Sequence, residues 1–174
     1  MAVQLSINRS KTAVIIMDYQ IRILDSLPKE RLNELLQRAN RVLAKARQKG
    51  VPVIYVEVQR GDRTPEMEIH PEIKPQPGET VLTKRRVGPF STTNLDEVLK
   101  KKGIDTLVLM GVSTSGCVIS TVRWAADIDY QQIVLSDCCA DRDDEVHRVL
   151  MEKVIARQAK VITSQEYVEA LEGI

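Results

Sequence analysis

Apolar residues occur along this chain in two alternating patterns. Short apolar-rich runs read as strands: residues 13–17, a continuous run bounded by polar residues and so expected to be buried on both faces, then 51–58, 80–83, 104–110, 132–135 and 160–163. Between them lie stretches with apolar positions at helical spacing. In the first, residues 28–49, Leu32, Leu35, Leu36, Ala39, Leu43 and Ala46 share a face, Pro28 is tolerated at the start and Gly50 is placed to stop the helix. Leu95, Val98 and Leu99 mark a helix over residues 91–102, ended by Gly103. Val118, Thr121, Val122, Ala125 and Ala126 trace a third, and residues 143–158 a fourth with Val146, Val149, Leu150 and Val154 on one face. Ser164 stands where the N-cap of a last helix belongs. Strands alternating with helices predict an α/β fold: a doubly wound, three-layer arrangement with a six-stranded, mainly parallel sheet covered on both faces.

Residues 59–78 interrupt the alternation. They carry Pro65, Pro71, Pro75 and Pro77 without periodicity, and a segment of this length inside a compact domain is expected to form a loop over the site or a subunit contact. The chain has no internal repeat.

Composition narrows the classes. At 174 residues and 43% hydrophobic, the chain suits one compact domain with a sizeable core. A formal net charge of +1 and a pI near 7.7 give no reason to expect a nucleic acid or an anionic membrane as partner. Residues 1–10 lack the apolar core of a signal peptide, and no run approaches the roughly 18 apolar residues of a membrane span, so a cytoplasmic protein is expected. Three cysteines, two of them adjacent as Cys138 and Cys139, do not make a disulfide framework and suit a reducing compartment.

Three polar residues end predicted strands: Asp18, Lys84 and, after a short turn of small residues, Cys117. Open α/β sheets bind ligands outside the carboxyl ends of their strands, so three positions distant in sequence can share one edge. The residue types fit one chemistry. A helix N-terminus and a nearby ammonium favour a thiolate, and a carboxylate can take the thiol proton provided burial strengthens it as a base. Cys117 simply packed in the core, Asp18 as a strand-end cap and Lys84 as a solvated charge are the bland alternatives.

With those residues in view, the chain resembles the isochorismatase-like cysteine hydrolases over nearly its whole length. Asp18-Tyr19-Gln20 is similar to the family's first-strand element, and Lys84 followed by Phe90, Thr93 and Leu95 is similar to its lysine element. The stretch from Gly111 to Val118, continuing through Ser120-Thr121 and Arg123-Trp124-Ala125-Ala126, is similar to the nucleophile turn and the helix after it. The resemblance implies a catalytic triad of Asp18, Lys84 and Cys117. It also implies a cis peptide at Val112-Ser113, an oxyanion hole from the N–H groups of Ser113 and Cys117, and attack of the thiolate on an amide, carbamoyl or ureido carbonyl through a thioester. Homo-oligomerisation, as a dimer or tetramer, is implied as well.

The nicotinamidase branch of the family places an Asp-x-His pair and a further histidine on a metal. Here the comparable strand end reads Glu57-Val58-Gln59, and the two histidines, His70 and His147, fall in the proline-rich loop and on a predicted helix, so neither metal nor cofactor is expected. Gln20, Arg60, Phe90 and Thr114 are the candidate substrate-binding residues, Arg60 for a substrate carboxylate together with Arg85 and Arg86, and Phe90 with Trp124 as an apolar wall. Two other classes stay open. Cys117 with Cys138 or Cys139 could serve a thiol redox or sensor protein, and the fold could carry a catalytically silent binding protein.

Overall fold

The computed structural model describes residues 5–174; the first four of the ten N-terminal residues discussed above lie outside the described residues. Six strands form one parallel sheet in the order β3-β2-β1-β4-β5-β6. They are β1 Thr12–Met17, β2 Val53–Val58, β3 Thr80–Lys84, β4 Thr106–Val112, β5 Gln131–Ala140 and β6 Lys160–Ile162. The central strand, β1, is buried at all six positions, as its uninterrupted apolar run requires. Its neighbours are β2 on one side and β4 on the other, with Met17 in register with both Val56 and Gly111. The connections therefore diverge at the carboxyl end of β1, which opens a crevice there.

Helix α1 is the single turn Ile21–Leu24, and α2, Lys29–Gln48, buries Leu35, Leu36, Ala39, Val42, Leu43 and Ala46. Right-handed crossovers put α2 on one face, where it packs against α6 (Ser164–Glu172), and α4 (Ile119–Asp127) on the other. Helix α3 spans Leu95–Lys101 and α5 Asp144–Val149. No helix among the described residues is long and apolar enough to cross a membrane.

Several boundaries differ from those the pattern predicts. Helix α3 starts at Leu95 rather than at residue 91, because the Thr93 hydroxyl accepts the Leu95 N–H and donates to the Pro89 carbonyl, closing a turn in front of the helix. Strand β5 runs on to Ala140, so Cys138 and Cys139 lie within it. Between Leu109↔Val134 and Gly111↔Cys139, β5 supplies four residues where β4 supplies one, and the polar Ser136 and Asp137 of that bulge break the apolar run. The helix expected over residues 143–158 ends as α at Val149, passes through a π turn at Leu150–Val154 and finishes as a 3-10 turn at Ile155–Arg157. The extra residue in the π turn changes the phase, so Met151 and Ile155 are buried while Val146 is exposed. Thr163 rather than Ser164 caps α6, in a capping box with Glu166.

Residues 59–78 are ordered by local contacts. They contain two 3-10 turns, Pro65–Met67 and Pro71–Ile73. They are tied down where the Ile21 N–H donates to the Glu68 carbonyl at 3.0 Å and the His70 N–H to that of Tyr19 at 2.8 Å.

Candidate active site

Strand ends deliver the site. Asp18 is the first residue after β1 and has φ 59°, a left-handed conformation that aspartate tolerates better than most residues, and it turns the chain out of the sheet at the crevice. Lys84 ends β3, two strands away. Although Lys84 is 1% exposed, its ammonium is satisfied: Nζ donates to Asp18 Oδ2 at 2.9 Å and to the Arg86 carbonyl at 3.1 Å. The other carboxylate oxygen, Asp18 Oδ1, is buried with no hydrogen-bond partner at bonding distance, while the Cys117 thiol lies near enough to favour the charged carboxylate. A buried, unpartnered carboxylate oxygen is costly, and such sites are candidates for function.

Cys117 completes the group from the far side of β1. After β4 the Val112–Ser113 peptide is cis, and residues Thr114–Val118 form a π turn that runs into α4. The Thr121 hydroxyl donates to the Cys117 carbonyl at 2.7 Å, and the Cys117 thiol points to the Ser113 carbonyl at 3.7 Å. Two glycines make room. A Cβ on Gly111 would stand 3.1 Å from Cys117 Sγ and 3.2 Å from the Met17 carbonyl, and one on Gly116 would stand 2.8 Å from Ser113 Oγ. The missing side chain at position 111 therefore gives the sulfur its room over the end of β4.

Burial dominates the electrostatics. It raises the Asp18 carboxyl above its ordinary range, against the opposing pull of the Lys84 ammonium. The Cys117 thiol is pushed well up by burial and by the charge of Asp18, with Lys84 opposing. The Lys84 ammonium, 2.9 Å from Asp18 Oδ2, makes an ion pair next to a thiol whose ionisation burial opposes. Moving the proton from sulfur to carboxylate would exchange one buried anion for another beside the same ammonium, so much of the desolvation cost cancels.

Asp18, Lys84 and Cys117 line a cavity of about 670 Å³, a size suited to a small molecule. Val112, Ser113 and Arg60 line it too. Three other expected substrate contacts lie elsewhere. Gln20 is buried and its side chain is fully used: Nε2 donates to the carbonyls of Val58 and Met67, and Oε1 accepts the Val58 N–H, which pins residues 58–67 to the start of α1. Phe90 stacks on Trp124 with ring centroids 6.4 Å apart, beside a separate shallow groove. Thr114 is buried, its hydroxyl 2.6 Å from His147 Nδ1. Of the proline-rich segment, Arg60 and Met67 reach the cavity.

The cavity also contains residues that sequence reasoning missed: Arg22 of α1, and Asp141 and Arg142 after β5. Arg22 and Arg142 look like ordinary surface charges in the sequence, and the only available signal is that each follows the end of a strand by a few residues. At the position compared with the metal-binding branch, Glu57 is held by Arg63 at 2.9 and 3.0 Å and by the Thr83 hydroxyl at 2.9 Å. Among the described residues no group of three His, Cys, Asp or Glu side chains could hold a metal ion.

The fold and cavity define a class: a doubly wound α/β protein with a thiol, a carboxylate and an ammonium enclosed at the switch point of its sheet. The chain belongs to the isochorismatase family of hydrolases, whose Isochorismatase domain model matches residues 12–166. It is 30% identical over 185 residues, 95% of this chain and 96% of the relative, to the uncharacterized isochorismatase family protein YwoC of Bacillus subtilis strain 168. Among solved structures it resembles a cysteine hydrolase from Pseudomonas syringae pv. phaseolicola 1448A, with a TM-score of 0.89 at 25% identity over 98% of this chain and 97% of that one. It also resembles the N-carbamoylsarcosine amidase of Thermoplasma acidophilum, with a TM-score of 0.77 at 29% identity over 88% and 96%.

Proposed function

We propose that this chain is a cysteine hydrolase that cleaves an amide, carbamoyl or ureido C–N bond in a small molecule bearing a carboxylate. The observation that carries this reading is the unpartnered, buried Asp18 Oδ1 in the same cavity as Cys117, with Lys84 on the other carboxylate oxygen. Asp18 takes the thiol proton as Cys117 Sγ bonds to the carbonyl carbon, and the carbonyl electron pair moves to oxygen. The N–H groups of Ser113 and Cys117 stabilise that oxyanion; preset donors of this kind are worth about 3 kcal/mol each. As the oxyanion collapses the C–N bond breaks, and Asp18 passes its proton to the departing amine or ammonia. Water then attacks the thioester, giving its proton to Asp18. As the resulting oxyanion collapses the C–S bond breaks, and Asp18 returns the proton to the sulfur, restoring the thiol.

The carboxylate preference rests on three arginines. Arg22, Arg60 and Arg142 line the cavity. The other arginines near carboxylates are already engaged, Arg31 with Asp144, Arg38 with Glu34, Arg47 with Glu79, Arg63 with Glu57 and Arg148 with Glu152, whereas these three belong to no ion pair among the described residues. Guanidinium groups left free at a cavity rim suit an anionic group by paired hydrogen bonds.

The thiol redox reading has less support. Cys138 and Cys139 are buried within β5, and burial pushes both thiols up, Cys139 to about 12, which disfavours the thiolate that exchange requires. The chain is taken to act as one cytoplasmic domain and as a homo-oligomer. The exposed Val87 and Trp124 beside Phe90 offer an apolar patch for self-association, and light scattering on Trp124→Glu would show a smaller assembly than wild type.

A panel of small amides, carbamoyl compounds and ureido acids, each with and without a carboxylate, tests the proposal. Turnover should favour the acids and fall by at least about a thousandfold in Cys117→Ala. Arg60→Ala and Arg142→Ala should raise KM about tenfold with kcat nearly unchanged. Hydrolysis undiminished in Cys117→Ala would rule the mechanism out.

A further inference from the structure

The turn that carries Cys117 is gripped from the β5 side by two side chains to which the scheme above gives no part. Asp141, the first residue after β5, is buried, and its Oδ2 accepts the Ser115 N–H at 2.8 Å. His147, one turn into α5, brings Nδ1 to 2.6 Å from the Thr114 hydroxyl. Ser115 and Thr114 both precede Cys117 within the π turn.

The segment that holds Asp141 and His147 is itself fixed. The Arg31 guanidinium, from the opposite face of the sheet, donates to the Asp141 carbonyl at 3.3 Å and pairs with Asp144. Asp143 caps α5 by accepting the N–H groups of Glu145 and Val146 at 2.9 and 3.3 Å. A path of direct contacts therefore runs from α2 through residues 141–147 to the turn. Lys84 and Asp18 approach the thiol from β3 and β1, on the other side of β4.

Charge states agree with this arrangement. Burial alone would raise the Asp141 carboxyl, but hydrogen bonds from Ser115 and from the N–H groups of Asp143 and Arg142 more than offset it and hold it below the usual value, so it stays an ionised acceptor. Burial and the nearby Arg31 push His147 down, against Asp141 and Asp144, and a neutral ring can accept the Thr114 O–H at Nδ1.

We propose that Asp141 and His147 are positioning residues that clamp the nucleophile turn, fixing Cys117 Sγ over the end of β4 and beside the free oxygen of Asp18. The inference rests on the hydrolase reading for its kinetic consequence. Its structural content does not, because the clamp sets how far the thiol is enclosed with or without turnover. A misplacement of about 1 Å at a reacting atom can cost on the order of a hundredfold in rate.

Variants of the intact chain test it, with thermal unfolding measured for each. Asp141→Ala should lower kcat at least about tenfold and leave KM within about twofold. Asp141→Asn, which keeps an oxygen to accept the Ser115 N–H, should recover most of the loss, and Thr114→Val should show a smaller fall in kcat. Without substrate, alkylation of Cys117 by iodoacetamide, followed by intact mass, should run faster in Asp141→Ala than in wild type, since a loosened turn uncovers a thiol that is 2% exposed. Slower turnover with faster alkylation is the combined signature. A raised KM at unchanged kcat would make Asp141 a substrate contact and overturn the clamp, as would equal impairment of the Asn and Ala variants. If no substrate is turned over, alkylation decides alone: a rate unchanged in both Asp141→Ala and Thr114→Val overturns the clamp, and acceleration in Asp141→Ala with rescue by Asn upholds it.

Discussion

Two aspartates of this chain hold left-handed backbone, Asp129 at φ 67° and Asp18 at φ 59°, and they sit at the amino-end and carboxyl-end edges of the parallel strands. Asp129 is exposed in the turn that ends α4 and leads into β5. Lys11 and Asp105 at that edge are solvated too, 3.6 Å apart and each more than half exposed. Asp18 is 6% exposed, bonded through one oxygen to a lysine that is 1% exposed and bare at the other oxygen. The same backbone state serves a turn at one edge and a buried charge cluster at the other. Identical local geometry does not mark a site; what distinguishes Asp18 is burial with an incomplete set of partners.

Substitutions at the two edges should therefore differ in scale. The largest effect is expected for Lys84→Met, which strands the Asp18 carboxylate: loss of about 3–5 kcal/mol of stability near neutral pH, measured by denaturant unfolding, together with loss of activity. A cost below about 1 kcal/mol would mean that water or another group takes over the carboxylate. Next comes Gly111→Ala. Its new methyl group meets Cys117 Sγ, which can turn away, but also the Met17 carbonyl at 3.2 Å, which is fixed in the sheet; about 1–3 kcal/mol and a marked drop in kcat are expected.

Acidity gives a third, smaller effect with a defined sign. The folded Asp18 carboxyl lies above its free value of 3.8, so over the window just above 3.8 the native state binds more protons than the unfolded state. The contribution of this group to stability is present below that window and is lost as pH rises through it. Thermal melts of wild type and Asp18→Asn, taken from about pH 3.5 to pH 7, should show the stability of wild type relative to the variant falling as pH rises. The opposite slope would mean that Lys84 outweighs burial. The smallest effect belongs to the other edge: Asp105→Asn should cost less than about 1 kcal/mol and leave kcat unchanged, and a larger change would erase the contrast between the edges.

Much of this was legible in the sequence, for physical reasons that also explain the rest. Strands β1, β2 and β4 announce themselves because a strand buried on both faces needs a mainly apolar run, whereas β3, at the edge of the sheet, is buried only at alternate positions. Asp18 and Lys84 stand out as polar residues where such runs stop, and Cys117 as a thiol a short turn beyond one. The extension of β5 through Cys138 and Cys139 was hidden by Ser136 and Asp137, whose bulge has its own purpose: the Asp137 carboxylate accepts both the N–H and the hydroxyl of Ser164 at 2.7 Å. The break in the helix after Val149 was hidden because a π turn changes the phase of an apolar stripe without changing its composition.

Site residues were legible only as far as strand ends could point to them. Gln20 and Thr114 lie beside the right residues in sequence, but their polar groups are taken by Val58, Met67 and His147, partners distant in the chain. Phe90 is drawn away by Trp124 in the same manner. Conversely, Arg22 and Arg142 reach the cavity with nothing in their neighbourhoods to separate them from solvated arginines, and Asp141 looks like any loop aspartate until its contact with Ser115 is seen.

The central claim is that Cys117 becomes acylated, and intact-protein mass spectrometry tests it most directly. Wild-type protein mixed with the most responsive amide or ureido acid and quenched in acid within the first turnovers should gain the mass of the acyl fragment, mapped by peptide digestion to Cys117, and the adduct should vanish as product forms. Product release from wild type with no adduct at any quench time, or an adduct mapped to another residue, would contradict the account.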